Sequence, residues 1–363
     1  MERTKTVGRR VRSWAPDGAG MRWIALGMGM LLCVGLALPM RTAWTPGPPE
    51  VWVADRDGGS VVGLDAGLFP ARAVAARFPV RVAPRAGGVW AATAEAGFPL
   101  GEHTVAAWDA ALGWRTLAAG LGPLVDLEAG VDGAALCVEF GLGGQPARVV
   151  RVNEAGAFDV TAHAGALAVC GWSGAGGAAE LLVAGADGRV VRYGPGGRVL
   201  GAVVVGGELV DVAVQGTGAG ARIVVLDAIG AFAGPGPWAE GARVVVLEPG
   251  LLGAASAADP FESGGAVEFA VGLGAGELGL VPDAEAVWVA DASEPLARRF
   301  GLDGALEAEV VLPASDVGAV AGLPGGGALF ATPGAVLRVD GMGQVQPGQG
   351  GFGFMTDVCV GGG

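Results

Sequence analysis

The sequence predicts an all-β fold, a seven-bladed β-propeller with a three-plus-one strand closure, preceded by an N-terminal signal or anchor helix. Three observations carry that prediction. The composition is rich in glycine and short apolar runs, a strand and turn pattern recurs about every forty residues, and the two ends of the chain hold complementary halves of one motif.

Composition sets the class. Of 363 residues, 69 are Gly and 22 are Pro, 52% are hydrophobic and 16% are charged, which disfavours a helical bundle and suits many short elements punctuated by turns. The single lysine is Lys5 and the single asparagine is Asn153, a skew that GC-rich coding explains without chemistry. It still excludes lysine-dependent mechanisms from the rest of the chain, a P-loop among them.

The first element is the N-terminus. Residues 1–22 carry Arg3, Lys5, Arg9, Arg10, Arg12 and Arg22, and the uncharged run WIALGMGMLLCVGLALPM follows at 23–40. A basic segment ahead of an apolar run is an export signal. Its length falls between a signal-peptide core and a full membrane span, so cleavage near Gly35 and Ala37 and retention as an anchor both stand open, as does translation from Met21. Cys33 follows Leu31 and Leu32 and lacks the small residue that precedes a lipoprotein cysteine. Residues 41–49 read as a linker and 50–363 as the propeller. The expected location is the cell envelope, on its periplasmic or extracellular side, with membrane contact only through the N-terminal segment.

Residues 1–43 hold seven of the 23 basic and two of the 36 acidic residues, which leaves the remainder near −18. Such a surface repels phosphate backbones, so no nucleic-acid partner is expected. Cys137, Cys170 and Cys359 each sit inside an apolar run (LCV, VCG, VCV). An odd number without clustering reads as buried thiols, not as a disulfide framework.

The propeller elements follow in order. A turn after an apolar strand recurs as LDAG, WDAA, VNEAG, YGPGG, LEPG, LDG and VDGMG, with the position after the apolar residue at 65, 109, 153, 194, 248, 303 and 340. Steps of 37 to 55 residues fit one four-stranded blade each. One unit reads LVDLEAG, AALCVEF, ARVVRVN, AFDVTAH, and another LVDVAVQG, ARIVVLD, ARVVVLE, GAVEFAVG. These are short Val, Leu and Ile runs bounded by Gly turns, as strands require. The longer steps contain insertions at 228–241 and 251–265. The first unit, VWVAD, SVVGLD and AVAARFPV, supplies the second, third and fourth strands of a blade, and MTDVCV at 355–360 supplies a first strand alone. Joined, they make one blade and remove two unpaired sheet edges.

GFMTDVCVGGG read into EVWVADRDGGSVVGLDA resembles the NHL and SMP-30-like repeat propellers, whose units pass through a Gly turn to a VYVAD-type strand. The resemblance implies a binding platform, with some metal-dependent lactonases in the same group. Those enzymes hold a divalent ion with Glu, Asn and Asp in the channel. Here Asn153 is the only Asn and lies in a turn away from the channel, so that ligand set is not carried over.

Catalytic constellations are scarce. His103 and His163 are the only histidines, both near strand ends, and read as exposed or satisfied imidazoles. GWSGAG at 171–176 has Ala175 where a nucleophile elbow needs Gly, and GAGELG at 274–279 precedes a strand where a dinucleotide fold needs a helix. Trp52, Trp90 and Trp288 recur at one strand position and read as packing between blades. Asp126, Asp211, Glu277 and Asp357 begin inner strands, with Asp316 nearby, and are expected at one mouth of the channel. Clustered carboxylates raise one another's pKa unless a cation sits among them, and hard oxygen donors suit a divalent cation such as calcium. The same acids can instead cap backbone N–H groups at strand starts. The connections between second and third strands open on the same face, which puts Phe98, Phe232 and Trp238 there as ligand-contact candidates.

The function expected from these features is a non-catalytic platform, a monomeric propeller that binds a protein, peptide or glycan. The alternative is a metal-dependent hydrolase or lactonase-like enzyme that uses the acidic mouth. A third reading is a scaffold that spaces partners on the membrane.

Overall fold

The computed structural model describes residues 50–94, 101–142, 145–174, 177–228, 241–253, 260–261, 264–274, 276–291 and 294–361, all within the compact unit Pro46–Gly363. The apolar run at 23–40 and the candidates Phe98, Phe232 and Trp238 lie outside the described residues. Among those described, no helix is long and apolar enough to cross a membrane.

The second strand of each repeat decides the packing. In Val51–Asp55, Val51 and Val53 pack toward the last blade, in one cluster with Leu329 and Val336. Trp52 and Ala54 alternate to the other side and pack with Val82 and Trp108. A strand that is covered on both faces needs a continuous apolar run, which is why VWVAD carries no outward polar position until its last residue. Seven four-stranded antiparallel sheets result. Seven hydrophobic clusters fill the junctions between adjacent sheets, one to each junction. The three repeated tryptophans fill such wedges, at 0 to 1% exposure. Trp52 lies 5.0 Å from Trp108, and Trp288 meets Phe330 edge-on at 5.8 Å.

Numbered from the blade that holds Val51, the inner strands of blades two to seven are Pro79–Arg85, Leu124–Ala129, Ala166–Ser173, Leu209–Gln215, Gly276–Leu280 and Ala319–Gly322. The inner strand of blade one is the last strand of the chain, Met355–Val360. It pairs with Val51–Asp55 in the register Val51 to Val360, Trp52 to Cys359, Val53 to Val358 and Ala54 to Asp357. Beyond the pair, Gly361 N–H donates to Glu50 O at 2.6 Å and Arg56 N–H to Phe354 O at 3.0 Å. The ring is closed by three strands from the start of the domain and one from its end, as the half-motifs predict.

One expected strand is corrected. The run AVAARFPV is not a single outer strand: the outer strand of blade one is Pro70–Ala75, and Pro79 already begins the inner strand of blade two. Phe78 makes the break, with a left-handed φ of 43° that no strand continues through. Tyr193, expected in a turn, ends the third strand of blade four, Arg189–Tyr193, and is buried.

In blades one, five and six an Asp at the end of the second strand ties the neighbouring crossover to its blade. Asp55 accepts N–H bonds from Gly58 and Gly353, Asp227 from Glu208, and Asp291 from Gly274 and Glu294. Beside Asp227, Gly207 has φ +78° and a Cβ there would stand 2.0 Å from the carboxylate, so glycine is required.

Cutting the chain after Gly350 removes the closing strand and opens the clusters that hold Met355, Val358 and Cys359. The melting midpoint is expected to fall by roughly 10 °C or more, and a peptide of residues 351–361 added in trans should restore part of it. Calorimetry of the two forms checks this; an unchanged midpoint would contradict closure by that strand.

Candidate functional site

An inner strand is a sheet edge, and its outward N–H and C=O groups have no fifth strand to pair with. In this ring they face a central cavity of about 370 Å³. The register defines one equivalent position in every blade, opposite Ala92, Val138, Ala184, Leu226, Ala290, Ala331 and Ala54 of the second strands. Its occupants, from blade two round to blade one, are Arg81, Asp126, Ala168, Asp211, Glu277, Ala319 and Asp357. The four acids expected together do line one cavity, and Glu128 joins them two residues further along. Asp316 does not: it precedes the inner strand of blade seven, at φ 58°, and Ala319 holds the ring position there.

The register shifts just before this position in five blades, leaving Val80, Val125, Leu167, Val210 and Thr356 unpaired. Such bulges add local twist and re-aim the following side chain. Re-aimed, the aspartates cap the edge of the next blade. Asp357 Oδ2 accepts from Val82 N–H at 2.8 Å, Asp126 Oδ2 from Val169 N–H at 2.8 Å, and Asp211 Oδ2 from Leu278 N–H at 3.2 Å. The second oxygens of Asp357 and Asp126 accept from the N–H groups of Val358 and Leu127. A carboxylate that accepts backbone N–H bonds contributes about 1.5–3 kcal/mol per bond.

The residue that sequence reasoning missed is Arg81. Its Nε and Nη2 donate to Val125 O at 3.2 and 3.1 Å, and its Nη1 to Thr356 O at 3.4 Å. Both acceptors are bulged residues. Nη1 also lies 3.9 Å from Glu277 Oε1. Burial acts to lower the Arg81 pKa, but Glu277, Asp357, Asp126 and Asp211 together hold it above its ordinary value. The available signal was the triplet pattern itself, since PVR at 79–81 occupies the place of LVD at 124–126 and 209–211.

Five carboxylates face this one guanidinium. Withdrawal from bulk water pushes Asp357 up to about 7, although Arg81 and the Val82 N–H pull the other way. Asp211 is held well above the carboxylate range by burial and then by Glu277 and Asp126. Among the described residues, no group of three or more His, Cys, Asp or Glu is placed to hold a metal ion.

The remaining candidates are structural. His103 is buried and its Nδ1 accepts from Leu124 N–H, while His163 Nδ1 lies 2.8 Å from the Tyr193 hydroxyl. Burial lowers the His163 pKa, with Asp187 opposing it. Cys137, Cys170 and Cys359 are free and buried, and burial raises each thiol's pKa. Ser173 ends an inner strand, and GAGELG runs into another.

No family model matches this chain, and no curated protein matches it. Among solved structures it is similar to a functionally unknown protein from Desulfotomaculum acetoxidans, with a TM-score of 0.61 and 12% identity over 85% of this chain and 98% of that one. A candidate 6-phosphogluconolactonase from Bacteroides fragilis gives 0.61 and 11% over 85% and 96%. Hydrazine synthase from Kuenenia stuttgartiensis gives 0.58 and 14% over 82% and 96%. At these identities the likeness is one of fold, and the resemblance to NHL and SMP-30-like repeats goes no further than that.

The raised carboxyl pKa values give a pH dependence with a definite sign. Between about pH 4, where an unfolded Asp titrates, and about 7, the folded chain keeps on Asp357 a proton that the unfolded chain has lost. Stability therefore falls as pH rises through that window and stays reduced above it. The melting midpoint is expected to drop from pH 5 to pH 8. Asp357→Asn keeps an acceptor for Val82 N–H without the charge, and should raise the midpoint at pH 8 and flatten the profile. A profile as steep as wild type would refute the assignment to Asp357.

Proposed function

We propose that this protein is an exported or membrane-anchored propeller that acts as a non-catalytic platform, binding a protein, peptide or glycan through the face at the channel mouth. The observation that carries the reading is how the ring acids are used. Asp126 and Asp357 spend both oxygens on backbone N–H groups, Asp211 caps the edge of blade six, and Arg81 supplies a fixed cation among them. Groups committed to holding blades together are poorly placed to turn over a substrate. On the same face end the strands Gly88–Ala94 and Arg222–Asp227 and begin the strands His103–Asp109 and Arg243–Leu247, which flank 95–102 and 228–242. Phe98, Phe232 and Trp238 belong to them by sequence and are the proposed contacts. Phe78, Phe140 and Leu142 stand on this face 40 to 44% exposed, an apolar supply suited to a partner surface.

Photo-crosslinking side chains placed at Phe78 and Phe140 are expected to capture a partner in the native cells, while the same groups at Val204 and Val311 on the outer rim capture none. Equal capture from rim and face, or none from the face, would overturn the reading.

A second reading, a metal-dependent hydrolase or lactonase-like activity, draws support from burial, which raises the pKa values of Asp211 and Glu277 above the ordinary carboxylate range, and from the fold shared with the candidate lactonase. It requires the ring acids to take a divalent cation such as calcium. Thermal melting with EDTA and then with calcium separates the readings: the platform predicts no calcium-dependent rise in wild type, and the enzyme predicts a rise that Asp211→Ala abolishes.

A further inference from the structure

The face opposite the mouth carries a feature that the binding reading leaves unused. The chain enters the ring at Glu50, whose N–H donates to Leu64 O and whose carbonyl accepts from Gly361 N–H. That is the end of the strands where third strands turn into fourth strands. Five of those turns share one device, an Asp or Asn whose side-chain oxygen accepts backbone N–H groups just ahead of it. Asp65 takes Gly67 and Phe69, Asp109 takes Ala111 and Leu112, and Asp340 takes Met342 and Gln344; Asn153 and Asp303 take Ala155 and Ala305.

The tips differ. In blades three and six the device presents Glu154 with Ala155, and Gly304 with Ala305. In blades seven, one and two it presents Met342, Phe69 and Leu112, at 83, 65 and 64% exposure. These three blades are consecutive, and the middle one is the blade through which the chain enters. Val131, in the first turn of blade three, adds a fourth apolar side chain on that face at 50% exposure. Turns locked by their own carboxylates hold these large apolar side chains out in the open, more exposed than buried.

We propose that this face rests on a lipid bilayer, with Met342, Phe69 and Leu112 inserted at its interface. The proposal rests on the reading of residues 23–40 as a retained anchor. Residues 41–49 span at most about 30 Å when fully extended, so an anchored ring stays near the surface, tethered at this same face. Backbone N–H bonds first, before other causes, hold Asp109 and Asp340 below the ordinary carboxylate range, so the turns keep their negative charge. The lipid they tolerate is zwitterionic, and anionic headgroups would repel them. With this face down, the mouth points away from the membrane toward soluble or surface partners.

The test uses the full chain, with Cys33→Ser, reconstituted into phosphatidylcholine vesicles; Cys137, Cys170 and Cys359 are buried and should not label. Nitroxide labels go on Phe69→Cys, Leu112→Cys and Met342→Cys, with Phe78→Cys and Phe140→Cys on the mouth face as controls. Accessibility to oxygen relative to a water-soluble nickel complex is expected to be about threefold higher at the three tips than at the controls. Adding phosphatidylserine should lower that ratio. Protein that floats with the vesicles while all five labels read as aqueous overturns the proposal and leaves the anchor intact. Labels shielded from both reagents show a protein surface in place of lipid and overturn it too. Failure to float removes the anchor reading and the proposal with it.

Discussion

The pairing of Met355–Val360 with Val51–Asp55 is the constraint on which the rest depends. No blade has a core of its own. Each of the seven hydrophobic clusters is shared by two neighbouring sheets, so a blade is stable only between two others, and a row of blades has two raw faces until it closes. A four-stranded sheet made from one continuous segment would leave the first and last blades meeting only through side chains. Splitting one blade between the two ends of the chain puts backbone hydrogen bonds across that seam. Two of the clusters, one on each side of blade one, contain residues from the closing strand, Met355 and Val358 in one and Cys359 in the other.

Closure creates the next problem, the seven inner edges around the channel. Three are met by aspartates that reach across to the next blade, and one junction by Arg81, which donates to the carbonyl of Val125 in blade three and to that of Thr356 in blade one. Donor and acceptor roles alternate as the chemistry demands: carboxylates take N–H groups, and the guanidinium takes carbonyls. The cost is burial of charge and its crowding, with five acids and one base lining the cavity; withdrawal from water raises the carboxyl pKa values first, and neighbouring carboxylates add to it. Asp211, which has Glu277 and Asp126 beside it, is raised more than Asp126, which has Arg81 to lower it. The electrostatics of the channel thus follow from closing a ring of sheet edges, before any ligand is considered.

Much of this was legible in the sequence because a repeat reports itself several times. Strand order, blade number, closure and the buried tryptophans all follow from patterns present in two or more copies, and the four acids could be grouped because LVD, AGE and MTD hold one place in their units. Where a signal occurred once, it was missed. Arg81 sits in the same place as those acids, but Phe78 and Pro79 look like the continuation of an apolar strand, and the backbone reversal at Phe78, which φ alone shows, hid the start of blade two. Register was the other hidden quantity. That an aspartate caps its neighbour's edge depends on the bulge at the preceding residue, and no composition or spacing distinguishes a bulged Val125 from a paired one.

The two faces of the ring differ for a reason as elementary as strand direction. Inner strands begin at one face, so crossovers between blades and connections between second and third strands gather there, and both tolerate length because neither must keep two adjacent strands in tight register. The other face holds mostly short hairpin turns, five of them locked by Asp or Asn, together with the longer connection from Leu247 to Ala266 in blade five. Connections on the first face are free to vary in length; on the second, the five locked turns vary in which residue they present, while blade five carries an insertion there at 251–265. By sequence the insertion at 228–241 falls between a second and a third strand and that at 251–265 between a third and a fourth, while single apolar tips are what the locked turns permit. The chain enters the ring at Glu50 on the face of the locked turns, and the strand order that closes the ring puts that face and the mouth on opposite sides.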